Sequence, residues 1–296
     1  MCSKNLTALV CLLVVVPSLR AQQAEPQSGS QMQPALEAKC RTLLAFLYGC
    51  PVEDFASASF GPVRKETYVG GENESRTWAY DARILEARGC RCSVDEKGLV
   101  RRVDRGGVTF QEPCEGGVTQ SSIAAVVQKV VGDSVELGKV PPRGRGRAQM
   151  WYRVVQGAWV ESQYLTIVFD QATNRFSRLF NSIDPDKTPS VPTVKVPKER
   201  AEKQATKQVV RYLADRRRWK AEGLNPKDFK PVLENAEYAL FLQDDGKLMH
   251  TFPFRFDYIG PRTEPVVPAS LREEVRVDAV TGETHGGWRG EGGLPD

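Results

Sequence analysis

The chain has 296 residues, with 41 Lys and Arg against 37 Asp and Glu, a formal charge of +4, and 41% hydrophobic residues. That composition suits a globular protein with a buried core, and the near balance of charge gives no global argument for binding nucleic acid or anionic membrane. The length implies two or three small domains rather than one.

In chain order, Lys4 precedes an almost wholly apolar run from Leu6 to Pro17. About a dozen apolar residues match the core of a secretory signal and fall short of the roughly 20 that span a bilayer. Pro17 breaks the run, and Leu19-Arg20-Ala21 offers a small residue at the cut, although Leu19 is large for its position. Residues 1–21 are therefore expected to be a cleavable signal peptide. The mature chain is then secreted or periplasmic, with no stable membrane span after cleavage. Cleavage removes Lys4 and Arg20 and no acid, so the formal charge falls from +4 to +2. Residues 22–33 are polar, with Pro, Ser and Gly, and are expected to be a flexible spacer.

A first unit is expected over 34–117. Leu36, Cys40, Leu43, Leu44 and Leu47 form one apolar helical stripe ending at Gly49. Trp78, Tyr80, Ala82 and Ile84 then alternate with polar residues, and a hairpin runs from Cys90 to Val100 with Gly98 in its turn. The order recurs over 118–182. Ser121 and Ser122 are placed to cap a helix carrying Ile123, Val126, Val127, Val130 and Val131, followed by strands at Met150–Val155 and Tyr164–Phe169. Pro185, Pro189 and Pro192 mark an extended linker at 183–196. A third unit, 197–286, opens with Pro197 at the first helical position and an apolar stripe of Ala201, Ala205, Val209, Tyr212 and Leu213. Its strands are Tyr238–Leu242, Met249–Tyr258 and Glu274–Val277, and a Gly-rich tail occupies 287–296. The fold class expected is α+β, two or three units each with a helix packed on an antiparallel β-meander.

The closing strand of the third unit reads Val277-Asp278-Ala-Val-Thr281-Gly282-Glu283. With its helix and meander, it resembles the PepSY and PepSY-like domains of exported bacterial proteins. Phe169-Asp170-Gln-Ala-Thr173-Asn174-Arg175 matches with Asn in place of Gly, since both tolerate positive φ. Val94-Asp95-Glu-Lys-Gly98 is one residue short. The signature turn residues are thus Asp170, Asn174, Asp278 and Gly282. The resemblance implies a non-catalytic exported module that binds or restrains peptidases, or that engages cell-envelope partners. Cystatins share the helix-on-sheet layout and a Gln-x-Val-x-Gly wedge. Gln128-Lys-Val130-Val-Gly132 has those letters but falls at the end of the expected helix, where Gly is a stop signal.

Five cysteines remain in the mature chain: Cys40, Cys50, Cys90, Cys92 and Cys114. Export permits disulfides, and the odd number leaves one thiol over. Cys40 and Cys50 would lie about 15 Å apart along a helix, beyond the roughly 7 Å that a bridge spans. Pairing between Cys40 or Cys50 and the group Cys90, Cys92 and Cys114 is favoured. Only His250 and His285 are available as histidine ligands, which disfavours a metal site. No nucleophile elbow, phosphate loop, zinc-peptidase helix or dinucleotide fingerprint is present in the sequence. No catalytic residue and no cofactor are assigned.

The leading expectation is an exported, non-catalytic protein that binds a protein or peptide partner and not nucleic acid. The alternatives are an extracytoplasmic hydrolase, with His250 as its base, and a peptidase inhibitor.

Overall fold

A computed structural model describes residues 29–69, 77–105, 117–140, 148–170, 172–214, 225–260 and 271–287. Outside these lie residues 1–21, expected to be a signal peptide, Cys114 and the expected tail from 288.

Helix α1 (Gly29–Tyr48) is followed by β1 (Arg64–Val69), β2 (Thr77–Ala87), β3 (Cys90–Val94) and β4 (Val100–Arg105). Helix α2 (Ile123–Val131) leads into β5 (Leu137–Lys139), β6 (Ala148–Val155), β7 (Ala158–Phe169) and β8 (Phe176–Asn181). Helix α3 (Lys198–Ala214) precedes β9 (Phe229–Leu233), β10 (Ala239–Leu242), β11 (Leu248–Tyr258), β12 (Leu271–Asp278) and β13 (Thr284–Gly287).

Two boundaries move from their sequence-based positions. Helix α1 begins at Gly29, inside the segment expected to be a spacer, and carries Pro34 within it. A proline near a helix start sacrifices one backbone hydrogen bond and leaves the downstream register intact. The cap before α2 sits at Thr119, whose amide donates to the Ser122 hydroxyl at 3.3 Å, and one 3-10 turn intervenes.

The fold is α+β with a mostly antiparallel sheet and few helices. The strands form one continuous thirteen-stranded sheet, more extended than the separate small sheets expected. Two joints make it continuous. Strand β4 pairs antiparallel with β8, with Arg102 opposite Phe180. Strand β10 docks parallel onto β7, with Phe241 opposite Trp159 and Leu242 opposite Val160. Around the second joint Tyr152, Trp159 and Phe241 pack with ring centroids 5.0–5.7 Å apart. An apolar edge strand placed next to an unfilled edge gains both a ladder and a core by pairing, which explains why the sheet does not stop at β7.

Three apolar clusters follow the joints. The largest takes Cys40, Leu44 and Leu47 of α1 and Val126 near α2's midpoint, against Leu85, Cys92, Val103, Leu165 and Leu179 of the sheet. Another seats Ala201, Ala205 and Val209 of α3 on Phe252, Phe254, Val275 and Val277. A small cluster of Ala158, Val160, Leu242, Leu248 and Ala279 lies at the β7–β10 joint.

The proline segment at 183–196 has no regular secondary structure, yet it is pinned in place. Prolines contribute carbonyls and no N–H, so such a segment needs donors from elsewhere. The buried Arg153 guanidinium supplies them, donating to the carbonyls of Asp184 (2.7 Å), Lys187 (3.0 Å) and Pro185 (3.3 Å) and to the Thr188 hydroxyl (3.0 Å). Gln163 Nε2 adds a bond to the Lys187 carbonyl at 2.9 Å.

Candidate functional site

The signature residues Asp170 and Asp278 build the same turn in two places. Asp278 Oδ1 accepts from the amides of Val280 (2.7 Å) and Thr281 (2.8 Å), and the Gly282 amide returns to the Asp278 carbonyl at 2.9 Å. Asp170 Oδ1 accepts from the amides of Ala172 (3.0 Å) and Thr173 (2.9 Å), and the Asn174 amide donates to the Asp170 carbonyl at 3.0 Å. Gly282 has φ +80° and Asn174 φ +56°, the left-handed conformation that this turn demands. Asp95 makes the one-residue-shorter version, its Oδ1 accepting from Lys97 (3.0 Å) and Leu99 (2.9 Å). The three turns join β3 to β4, β7 to β8 and β12 to β13.

Bonding to amides favours the charged form of Asp170 and Asp278. The Thr173 amide is the main cause that holds Asp170 below the usual carboxylate range. For Asp278, burial pushes upward, but the amides of Thr281 and Val280 together outweigh it and the net shift is downward. Two of the turns also meet a helix. A Cβ on Gly282 would lie 3.3 Å from Gln204 Nε2 of α3, and one on Gly98 would lie 3.3 Å from Leu36 Cδ1 of α1. These turns fasten helices to the sheet.

Beside the Asp95 turn lies a cleft of about 260 Å³, formed where β2, the turn and the start of the proline segment meet. At its base Asp95 and Arg101, both buried, pair at 2.6 Å, and Arg101 also donates to the Ile183 carbonyl at 2.7 Å. On one wall Lys97 Nζ meets Asp184 at 2.7 Å. Burial raises Asp184, but the bonds from Lys97 and from the Asp186 amide bring its net shift below the usual range. Tyr80 forms an aromatic wall and shares a 2.7 Å hydrogen bond with Ser93. Exposed Asp81 and Glu96 complete the lining, so four carboxylates face two cations. This surplus of negative charge beside an aromatic ring matches a basic side chain or an amine. In the sequence Tyr80 reads as a strand residue and Asp95 as a turn aspartate, and nothing local brings the lining residues together.

His250, the candidate base, is 2% exposed on β11. Its Nε2 lies 2.7 Å from the Val196 carbonyl, which fixes that nitrogen as the donor, and its Nδ1 then accepts from the Tyr238 hydroxyl at 2.9 Å. Burial lowers its pKa. Both ring nitrogens are engaged, so neither is presented to a substrate proton. His285 lies apart, on β13, 3.9 Å from Glu283. Val130 belongs to α2 and Gly132 ends that helix at φ +79°, so Gln128–Gly132 is a helix terminus and not a wedge. Cys40, Cys50, Cys90 and Cys92 are grouped where α1 and its C-terminal end meet β3. Cys40 and Cys92 are hydrogen-bonded to each other.

These features define an α+β protein with a continuous, mostly antiparallel sheet and a small acidic cleft. No protein-family model and no curated protein matches the chain. Among solved structures, the chain is similar to the Bacillus megaterium YpeB C-terminal domain, at 10% sequence identity and a TM-score of 0.43, covering 87% of this chain and 98% of that one. Among the described residues no helix is long and apolar enough to cross a membrane.

Proposed function

We propose that the chain is an exported, non-catalytic protein of three PepSY-like helix-and-meander units that binds a basic segment of a protein or peptide partner. The observation that carries this is the cleft beside the Asp95 turn. Its paired charges at the base are held rigidly by the Arg101 and Lys97 contacts, while Asp81 and Glu96 present surplus negative charge to solvent. The recurrence of one turn at Asp95, Asp170 and Asp278, each joining the last two strands after a helix, supports the three-unit description.

Panning a random peptide library on the wild-type chain and on the Asp81→Asn/Glu96→Gln variant tests the proposal. Enrichment of Lys- or Arg-bearing peptides on the wild type alone is expected. A screen of peptide and ester substrates runs beside it, and activity lost on His250→Ala would overturn the non-catalytic assignment.

A further inference from the structure

We propose that Cys40 and Cys92 form a disulfide bond that fastens α1 to β3. Cys40 and Cys92 are both fully buried, on facing elements, with their thiols in hydrogen-bond contact. Cys50 sits just beyond α1, its thiol 3.6 Å from the Tyr48 carbonyl, and acts electrostatically on Cys90. Cys90 in turn acts electrostatically on Tyr48, the last residue of α1, and the two lie in one buried cluster. Cys50 and Cys90 therefore lie toward the helix end, and Cys92 is the thiol placed against Cys40. Among the described residues no three His, Cys, Asp or Glu side chains are grouped to hold a metal ion.

The chemistry is thiol–disulfide exchange with a small-molecule or protein disulfide as oxidant. In one order of events the Cys40 thiol loses its proton and attacks first. Cys40 Sγ bonds to one sulfur of the oxidant and releases the other as a thiol. Cys92 then gives up its proton, attacks Cys40 Sγ, and expels the second oxidant sulfur, also as a thiol. Two protein thiols are oxidised and one disulfide is reduced. Because both sulfurs are buried in the finished fold, the exchange takes place during folding. The bridge would close a loop of about fifty residues.

The pairing stands on geometry; only the source of oxidant in the cell depends on the exported assignment. Arg41 separates Cys40 from Cys50, and Arg91 separates Cys90 from Cys92, so trypsin leaves these four cysteines on different peptides. The chain is refolded in a glutathione redox buffer, its remaining thiols are alkylated, and the tryptic peptides are weighed without reduction. The expected species joins Cys40-Arg41 to the Cys92–Lys97 peptide, and reduction lowers the Tm of the refolded chain by about 5–10 °C. Alkylated Cys40 or Cys92, or Cys40 joined to Cys90 or Cys114, would overturn the pairing. A bridge found after refolding but missing from protein recovered from the producing cell would support the pairing and count against export.

Discussion

Arg276 on β12 meets Glu161 on β7 at 3.1 Å, although these strands are not neighbours in the sheet. Arg276 also holds Glu274 at 2.8 Å, so one guanidinium serves two carboxylates, and both it and Glu161 are largely withdrawn from water. This contact locks the parallel β7–β10 joint that makes the sheet continuous. Removing the cation leaves buried negative charge, a loss of about 3 kcal/mol. Arg276→Met should lower unfolding stability by that amount in urea, and adding Glu161→Gln should recover part of it. A double variant as unstable as the sum of the singles would show that the two residues act independently.

The left-handed turn positions give a sharper contrast. Gly282→Ala forces a Cβ into positive φ against Gln204 and should cost about 1–2 kcal/mol. Asn174→Gly, at φ +56°, should leave stability within about 0.5 kcal/mol. Thermal unfolding of the two variants checks both values.

Asp278 carries a pH signature. Its folded pKa is depressed, so its contribution is present above the unfolded carboxylate range near pH 4 and is lost as pH falls through the lower folded value. Asp278→Asn should flatten the acid limb of a Tm-against-pH curve. The same variant should cost about 1 kcal/mol at pH 7, where the side chain no longer offers a charged acceptor to the Val280 and Thr281 amides.

His250 predicts a separate limb nearer neutrality. Burial depresses its folded pKa, so the unfolded chain takes up a proton first as pH falls through about 6.5. Stability therefore declines between pH 7 and pH 5. His250→Asn should remove that slope, and a retained slope would assign it to another group.

Much of the fold was legible in the sequence because periodicity reports which face of an element is buried. The stripe at Cys40, Leu44 and Leu47 and the stripe at Ala201, Ala205 and Val209 both lie in the core. The Asp-to-Gly turns were legible because only Gly or Asn sits easily at positive φ. The joints were not. Nothing local marks Trp159 and Phe241 as parallel neighbours, since that pairing is a property of two segments about eighty residues apart. Strand β1 reads Arg-Lys-Glu-Thr-Tyr-Val, a charged edge without the alternation that marks a half-buried strand. The cleft was hidden for a related reason. Arg101 looks like one more surface charge until the proline segment lies over it, and the reason that segment stays there is Arg153, thirty residues upstream.

In the proposed function the acidic cleft receives a basic segment of the partner. Fluorescence polarisation of a labelled peptide of alternating Lys and Gly, compared with its Glu–Gly counterpart, tests it most directly. The wild-type chain should bind the lysine peptide and not the glutamate one, and Asp81→Asn/Glu96→Gln should weaken that binding about tenfold. Equal binding by wild type and variant, or preference for the glutamate peptide, would contradict it.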